Sequence, residues 1–124
     1  MNSNLPFTDG RKVKVIPLNE ICYIEQRERK VSVVTLDGIE IRYGNLKEYE
    51  PYLDDDFVKV LKYTAVNFSN IREMSDQTIY FTNGDRLNLN REYFIKAKQR
   101  YALYLTDRKL FLIQTKQLKE GKGR

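Results

Sequence analysis

A dense cluster of charged side chains interrupts an apolar stretch that begins at residue 24. Within IEQRERKVSVV, the charged residues are Glu25, Arg27, Glu28, Arg29 and Lys30. Guanidinium and ammonium groups placed this close together are suited to bind phosphate and other anions. A solvated loop between two strands is the alternative, because Glu25 and Glu28 cancel part of the positive charge.

The positive charge of the chain is concentrated in its second half. The 124 residues carry 22 Lys and Arg against 17 Asp and Glu, which gives a formal net charge of +5. Residues 1–60 hold nine basic and eleven acidic side chains, whereas residues 61–124 hold thirteen and six, so the halves carry −2 and +7. This asymmetry is typical of small domains that contact nucleic acid or anionic lipid. Solubility alone explains the charge equally well.

Side chains that support catalysis or metal binding are scarce. No histidine occurs in the chain, which removes the commonest general base and the commonest metal ligand. Cys22 is the single cysteine, and its apolar surroundings predict a buried, inert thiol. Asp54–Asp56 is the only carboxylate cluster, and we predict that it solvates a loop. We therefore expect no enzymatic activity, no bound metal and no cofactor.

The sequence also contains no membrane or export signal. No run of about 18 apolar residues is present, and the first twelve residues lack the apolar centre of a secretory signal. A single cysteine excludes an internal disulfide framework. We expect a cytoplasmic protein with no membrane partner.

Alternating apolar residues on either side of turn dipeptides predict a mainly β fold. VSVVTLDGIEIRY contains Asp37-Gly38, and TIYFTNGDRLNLN contains Asn83-Gly84; both favour two-residue primed hairpin turns. The alternation predicts sheets with one buried and one solvated face. Further strand candidates are Lys12–Ile16, Ile21–Ile24, Val58–Val60 and Asn70–Met74.

One short helix is predicted in GNLKEYEPYL. Asn45 and Glu48 have the spacing of a capping box, and Pro51 limits the helix to a single turn or a break near Glu50. REYFIKAKQRY is compatible with a second helical turn. The following YALYLTDRKLFLIQ fits either a hairpin around Thr106–Arg108 or a helix. The predicted organisation is a flexible arm at 1–11, a domain at 12–100, and an extension at 101–124 with a frayed basic tail.

The order of these landmarks resembles the LytTR DNA-binding domain, the effector domain of LytR/AlgR-type bacterial response regulators. The segments that carry the resemblance are ICYIEQRERKVSVVTLDGIEIRYGNLKEYEPYL, DDFVKVLKYTAVNFSNIREM and NGDRLNLNREY, and YGNLKEYE and FVKV…VNFSNI are the most specific pieces. The resemblance runs from Lys12 to about Lys98. It implies an elongated arrangement of small antiparallel sheets with one short helix. It also implies transcription regulation in a two-component system, with loops in successive major grooves at paired direct repeats.

The resemblance places DNA contacts at three points of the chain. The residues that match these points are Arg27, Arg29, Lys30, Lys62, Asn90 and Arg91. Arginine can bond guanine O6 and N7 together, and asparagine can do the same at adenine N6 and N7. Other cations neutralise phosphates and fix the register. The residues suited to that second role are Arg86, Lys96, Lys98 and Arg100. Ordinary wet-face positions or local ion pairs, such as Arg91 with Glu92, are the structural alternatives.

Three positions depart from the family pattern. Leu61 stands where a histidine is common, Tyr63 where a small polar residue is common, and Asn90 where a serine is common. With Tyr93 and the apolar C-terminal segment, these changes leave open a LytTR-like module that binds a protein and has lost strong DNA binding; RNA binding ranks third. The partners implied are double-stranded DNA, a phosphoacceptor receiver domain in a longer chain, and a second copy on a direct repeat.

Overall fold

The computed structural model describes residues 3–120, with side chains as far as residue 108. Ten strands and one α-helix occupy this part of the chain. The strands are β1 (Asn4–Thr8), β2 (Val13–Pro17), β3 (Ile21–Arg27), β4 (Lys30–Thr35), β5 (Ile39–Tyr43), β6 (Phe57–Leu61), β7 (Thr64–Asn67), β8 (Ile71–Ser75), β9 (Thr78–Phe81) and β10 (Arg86–Asn88). The helix is α1 (Arg91–Glu120).

Three antiparallel sheets make up the fold, as predicted from the sequence. The central sheet has the order β5-β4-β3-β7-β6, and it is accompanied by the pair β1-β2 and by the three-stranded sheet β10-β9-β8. All strand pairs are antiparallel. The mainly β fold class is therefore confirmed.

The middle of the central sheet is buried on both faces. Val31 and Val33 of β4 point into one core, shared with β1 and β2. Val34 of β4 and Cys22 of β3 point into a second core, shared with the three-stranded sheet and α1. The prediction of one solvated face is wrong for these strands, because separate elements cover each side. Burial also raises the pKa of the Cys22 thiol to about 11, which agrees with the prediction of an inert cysteine.

The N-terminal segment is a strand and not a flexible arm. β1 pairs with β2 in a register that places Leu5 opposite Ile16. Leu5 and Phe7 are fully buried against the central sheet. The sequence analysis missed this strand because Pro6 interrupts a very short apolar pattern. The side chain of Phe7 covers β5 from one side, where the Arg42 guanidinium carbon lies 5.2 Å from the centre of its ring.

The predicted capping box forms after β5. The Asn45 N–H donates to Glu48 Oε1 at 3.3 Å, and the chain makes one 3₁₀ turn at Leu46–Glu48 and a second at Glu50–Tyr52. Gly44 precedes the box with φ of 143°, and a Cβ atom there would lie 2.5 Å from Glu48 Oε1. A glycine is therefore required for the chain to enter this turn.

Both hairpins predicted from glycine dipeptides exist, but neither has the predicted turn. The β4–β5 turn is centred on Leu36 and Asp37, because the Thr35 hydroxyl oxygen accepts hydrogen bonds from the Asp37 and Gly38 N–H groups. The β9–β10 loop contains three residues, Thr82–Gly84, with Gly84 at φ of 95°. Three-residue loops with a left-handed final residue are a common hairpin class.

The C-terminal segment is a helix and not a hairpin. α1 packs on the second core through Phe94, Ala97, Tyr101 and Tyr104, which lie on one side of the helix. The predicted domain end at residue 100 falls inside this helix, and residues 121–124 of the predicted basic tail lie outside the described residues. No helix within residues 3–120 is long and apolar enough to cross a bilayer.

Candidate nucleic-acid interface

The charged cluster seen in the sequence forms the tight turn between β3 and β4. Arg27 pairs with Lys30, so Glu28 and Arg29 are the two central residues of the turn, and Glu28 has a φ of 56°. Arg27 lies 3.6 Å from Glu25 in a solvent-exposed ion pair. Arg29 is exposed and has no ion-pair partner among the described residues. The Lys30 ammonium lies 5.7 Å from the ring centre of Tyr43.

Gln26 holds this turn in place from beneath. Its amide nitrogen donates to the Glu28 carbonyl at 3.0 Å, and its side-chain oxygen accepts from the Leu46 N–H at 2.8 Å. The same side chain therefore ties the charged turn to the 3₁₀ turn after β5. The sequence analysis missed Gln26, since a single amide in a strand gives no signal of such a bridge.

The second predicted contact, Lys62, lies on the neighbouring turn. Lys62 and Tyr63 are the two central residues between β6 and β7. β7 pairs with β3, and the Gln26 N–H donates to the Tyr63 carbonyl at 2.9 Å. The β3–β4 and β6–β7 turns therefore project side by side from one end of the central sheet. The Lys62 ammonium lies 5.3 Å from the ring centre of Tyr63.

The direction of α1 brings the third predicted contact to the same end. An Arg100 guanidinium nitrogen donates to the Lys59 carbonyl at 3.2 Å, and the Tyr104 hydroxyl donates to Asp56 Oδ1 at 3.0 Å. Because residue numbers rise along α1 as they fall along β6, the two run antiparallel. The N-terminus of α1, with Arg91 in its first turn, lies at the end where β6 turns into β7.

These three segments form what we call the basic end of the molecule: Arg27, Arg29, Lys30, Lys62 and Arg91. Arg91 is exposed and, like Arg29, has no ion-pair partner in the described part of the chain. Three carboxylates accompany this end: Glu25 lies 3.6 Å from Arg27, Glu28 precedes Arg29 in the turn, and Glu92 lies 3.6 Å from Lys96.

Asn90 caps α1 in the structure. Its Oδ1 accepts a hydrogen bond from the Tyr93 N–H at 2.9 Å, as expected of an N-cap residue. An asparagine that reads adenine must use the same oxygen to accept from the base. The cap uses one of the two lone pairs of Oδ1, and the second is available for that contact. The cap signal was present in the sequence, because an asparagine immediately precedes a helical pattern.

The predicted phosphate contacts divide into three groups. Lys96 and Arg100 line an open groove of about 520 Å³ between α1 and residues 59–62, together with Tyr93. Lys98 lies seven residues after Arg91 and so shares its flank of the helix, while Arg100 lies about 180° from Arg91. Arg86 lies on β10, in the three-stranded sheet. Lys59, which was not predicted, also lines the groove, and its ammonium lies 3.1 Å from Glu50.

The opposite end of the central sheet carries the opposite charge. The β4–β5 turn, the loop before β6 and the β9–β10 loop lie at this end, and Asn83 Nδ2 of the β9–β10 loop donates to the Thr35 carbonyl at 3.0 Å. The carboxylates of this acidic end are Glu20, Asp37, Asp54, Asp55, Asp56 and Asp85. The molecule is therefore electrostatically polar along its strands.

Residues 11–102 match the family described as the LytTr DNA-binding domain. This chain belongs to the LytTR family. A solved LytTr DNA-binding domain of a Bacillus cereus response regulator has the same fold, with a TM-score of 0.64 and 18% sequence identity over 82% of this chain and 98% of its own. No curated protein matches the chain. The predicted family is thus confirmed, and its general function, DNA binding in transcription regulation, applies to this LytTR domain.

Proposed function

We propose that this LytTR domain binds double-stranded DNA sequence-specifically and inserts the segments of its basic end into the grooves of a promoter site. The observation that carries the proposal is the gathering of Arg29, Lys62 and Arg91, from three separated parts of the sequence, at one end of the molecule. Two of these residues lie on tight turns, and the third lies at the start of a long helix. Such projections fit a major groove about 12 Å wide.

Arg29 and Arg91 are proposed to read bases. Both are exposed and free of ion pairs in the described residues, so neither must break a protein contact to bond guanine O6 and N7. Arg27, Lys30 and Lys62 are proposed to contact the groove walls. The rings of Tyr43 and Tyr63 lie near the two lysine ammonium groups and restrict their positions without neutralising them.

Lys96 and Arg100 are proposed to bind the backbone of the strand that passes the groove between α1 and β6. Lys98, on the flank of Arg91, and Arg86 are proposed to contact phosphates further along the duplex. Asn90 is proposed to contact a base or the groove beside Arg91, while its cap fixes the position of Arg91 at the helix start. Phosphate contacts of this kind set the register of a protein on DNA.

Control of transcription at paired direct repeats would place two copies of the domain in the same orientation on one face of the duplex. A receiver domain in a longer chain is the proposed source of the signal. The alternative of a protein-binding module is not favoured, because Leu61 packs against the second core and Lys62 lies over Tyr63. Leu61 and Tyr63 therefore do not form a continuous apolar patch.

Selection of duplexes from a random pool, followed by fluorescence anisotropy, tests the proposal. The selected duplex should bind at least tenfold more tightly than a scrambled duplex of the same composition. Replacing a selected guanine by 7-deazaguanine removes its N7 acceptor and should weaken DNA binding by the wild-type protein. The variant that lacks the arginine reading that guanine, Arg29→Ala or Arg91→Ala, should bind the modified and unmodified duplexes equally well. A pool that yields no enriched motif, with equal affinity for both duplexes, would refute sequence-specific binding.

A further inference from the structure

β5 is an edge strand of the central sheet with a free row of backbone groups. Two hydrogen bonds flank the pairing of β5 with β4: the Thr35 N–H donates to the Gly38 carbonyl at 2.7 Å, and the Gly44 N–H donates to the Arg29 carbonyl at 2.8 Å. The even-numbered residues of β5 therefore form the backbone hydrogen bonds to β4. In an antiparallel ladder, the alternate residues then face outward. The backbone groups of Ile39, Ile41 and Tyr43 therefore point to the open edge.

The side chains of these three residues are also exposed. Ile39, Ile41 and Tyr43 have 60%, 51% and 77% of their surface in solvent, although they belong to the alternating pattern that predicted burial. They lie on the same side of the sheet as Val34 and Cys22, but the second core does not extend over β5. Natural edge strands usually carry charges, prolines or bulges that prevent pairing. The charges of β5, Glu40 and Arg42, lie on the other side of the sheet, near Lys14 and Asp9, so the side that carries Ile39, Ile41 and Tyr43 is uncharged on this strand. An uncovered apolar edge is instead typical of an interaction site.

We propose that this edge pairs with β5 of a second copy of the chain, antiparallel and about a two-fold axis at Ile41. In this register Ile41 lies opposite Ile41 of the second copy, and Ile39 lies opposite its Tyr43. All three outward-facing residues then exchange backbone hydrogen bonds. The Ile41 carbonyl already accepts from Arg42 Nη1 at 2.8 Å, and its second lone pair serves the pairing.

Charge selects this register over its neighbours. With the axis at Ile41, Glu40 of each copy lies opposite Arg42 of the other. A shift of two residues in either direction places Glu40 opposite Glu40 or Arg42 opposite Arg42, which is unfavourable. Arg42 also has two buried nitrogens, Nε and Nη2, without a hydrogen-bond partner in the described chain, although Asp9 and Glu40 lie 3.6 and 3.7 Å away.

The charge of the whole molecule favours the same arrangement. Antiparallel pairing of β5 places the basic end of one copy beside the acidic end of the other. The two basic ends then point in opposite directions, so this dimer differs from two copies aligned on a direct repeat. Its formation does not depend on DNA, and the test contains none.

Analytical ultracentrifugation of the full chain at a series of concentrations tests the pairing. The wild-type chain should form dimers and no larger species, since the two-fold contact uses the edge of both copies. Ile41→Arg places two like charges at the axis and should raise the dimer dissociation constant at least tenfold. Leu103→Arg is the matched control, because Leu103 is 65% exposed on α1, which packs beside β6 at the opposite edge of the sheet, and this variant should dimerise like the wild type. A monomer at all concentrations, or equal effects of the two substitutions, would overturn the proposal.

A cysteine at the axis tests the register. Opposite residues in a hydrogen-bonded antiparallel pair have Cα atoms about 5.5 Å apart, within disulfide range. Ile41→Cys should therefore form a crosslinked dimer under mild oxidation, whereas Leu103→Cys should not. The native Cys22 is fully buried and contributes no background. Absence of the Ile41→Cys crosslink in a folded protein, shown by unchanged circular dichroism, would exclude this register.

Discussion

The two ends of the central sheet use charged side chains in opposite ways. At the acidic end, three of the six carboxylates are bonded into the fold: Asp54 Oδ1 accepts from the Asp56 N–H at 3.0 Å, Asp56 in turn accepts from Tyr104, and Asp85 accepts from the Asn83 amide. At the basic end, Arg29 and Arg91 make no ion pair within the described residues. Charged groups at the acidic end therefore stabilise the fold, whereas arginines at the basic end are available to bind a ligand.

Because of this difference, the net charge of +5 is smaller than the positive charge that a DNA duplex would meet at the basic end. An approaching duplex meets cations at one end and carboxylates at the other, so the field orients the protein before contact. Six of the carboxylates that offset the total charge lie at the acidic end, where the duplex is not expected. Substitutions at the two ends should accordingly separate loss of DNA affinity from loss of stability.

Ionic strength should have the largest effect, and it acts through the basic end. If the three groove-wall cations there (Arg27, Lys30 and Lys62) and the adjoining Lys96 and Arg100 each neutralise one phosphate, the logarithm of the association constant falls with a slope of about −4.5 against the logarithm of salt concentration. Raising salt from 50 to 200 mM should then weaken binding about five hundred-fold. Anisotropy titrations at four salt concentrations measure the slope. A slope near zero would break the assignment of the basic end as the DNA-binding end.

Single arginines at the basic end should have the next largest effect. Arg29→Ala or Arg91→Ala should cost about 1–3 kcal/mol of binding free energy on the selected duplex, because each loses a bidentate base contact. The free energy of unfolding should change by no more than about 0.5 kcal/mol, as for other exposed sites.

Arg72→Ala is the control for these substitutions. Arg72 is an exposed arginine on β8, whose neighbouring residue Asn70 bonds to the Ile21 carbonyl near the acidic end. The variant removes the same charge and should leave binding nearly unchanged. Equal losses for Arg29→Ala and Arg72→Ala would mean that binding follows total charge and not its placement. An equal loss on the selected and scrambled duplexes would assign the arginine to a phosphate.

At the acidic end, the expected loss is in stability. Tyr104→Phe removes the hydroxyl that donates to Asp56 and should lower the free energy of unfolding by about 1–2 kcal/mol, since the acceptor is charged. Urea titration measures the change, and the DNA affinity of the folded protein should be unaltered. Tyr63→Phe removes the same atom at the basic end, where the ring is exposed, and its stability should match the wild type. The comparison fails if Tyr104→Phe weakens DNA binding more than it lowers stability.

Predictions from the sequence were correct where the signal lies within a few residues. They were wrong where burial depends on packing by another element of the fold. The Asn45–Glu48 capping box lies within four residues, and it formed as predicted. The alternation in Ile39–Tyr43 predicted a buried face, but whether that face is covered depends on how far α1 and the three-stranded sheet extend.

The candidate site shows the same division. The family resemblance predicted DNA contacts at Arg29, Lys62 and Arg91; their role stays a prediction, and the fold brings them to one end of the molecule. Asn90 was predicted as a DNA contact from its place in the family pattern, and the structure adds a second role, since it caps the helix that begins at Arg91. The role of Gln26 could not be predicted from the sequence, since its two hydrogen-bond partners come from different turns.

A pH dependence of stability, confined to alkaline solution, connects the acidic end to the second core. Burial, and secondarily the charge of Asp85, raise the pKa of Cys22 from 9.0 to about 11. Between these values the unfolded chain loses the thiol proton and the folded chain keeps it. The free energy of unfolding should therefore fall as pH rises from 9 to 11, by up to about 1.4 kcal/mol per pH unit from this group, and the contribution is fully present below pH 9.

Urea titrations at pH 8, 9 and 10 on the wild type and on Cys22→Ala give the slope of unfolding free energy against pH for each protein. The difference between the two slopes measures the effect, because the small cavity that the substitution leaves lowers stability equally at each pH. Cys22→Ala should flatten the alkaline decline. Asp85→Asn should flatten it less, because the charge is the smaller cause of the shift. Between pH 6 and 8 neither variant should differ from the wild type in slope, since the chain contains no histidine. Identical slopes for wild type and Cys22→Ala between pH 9 and 10 would show that the thiol is not held protonated by the core and that the field of the acidic end does not reach it.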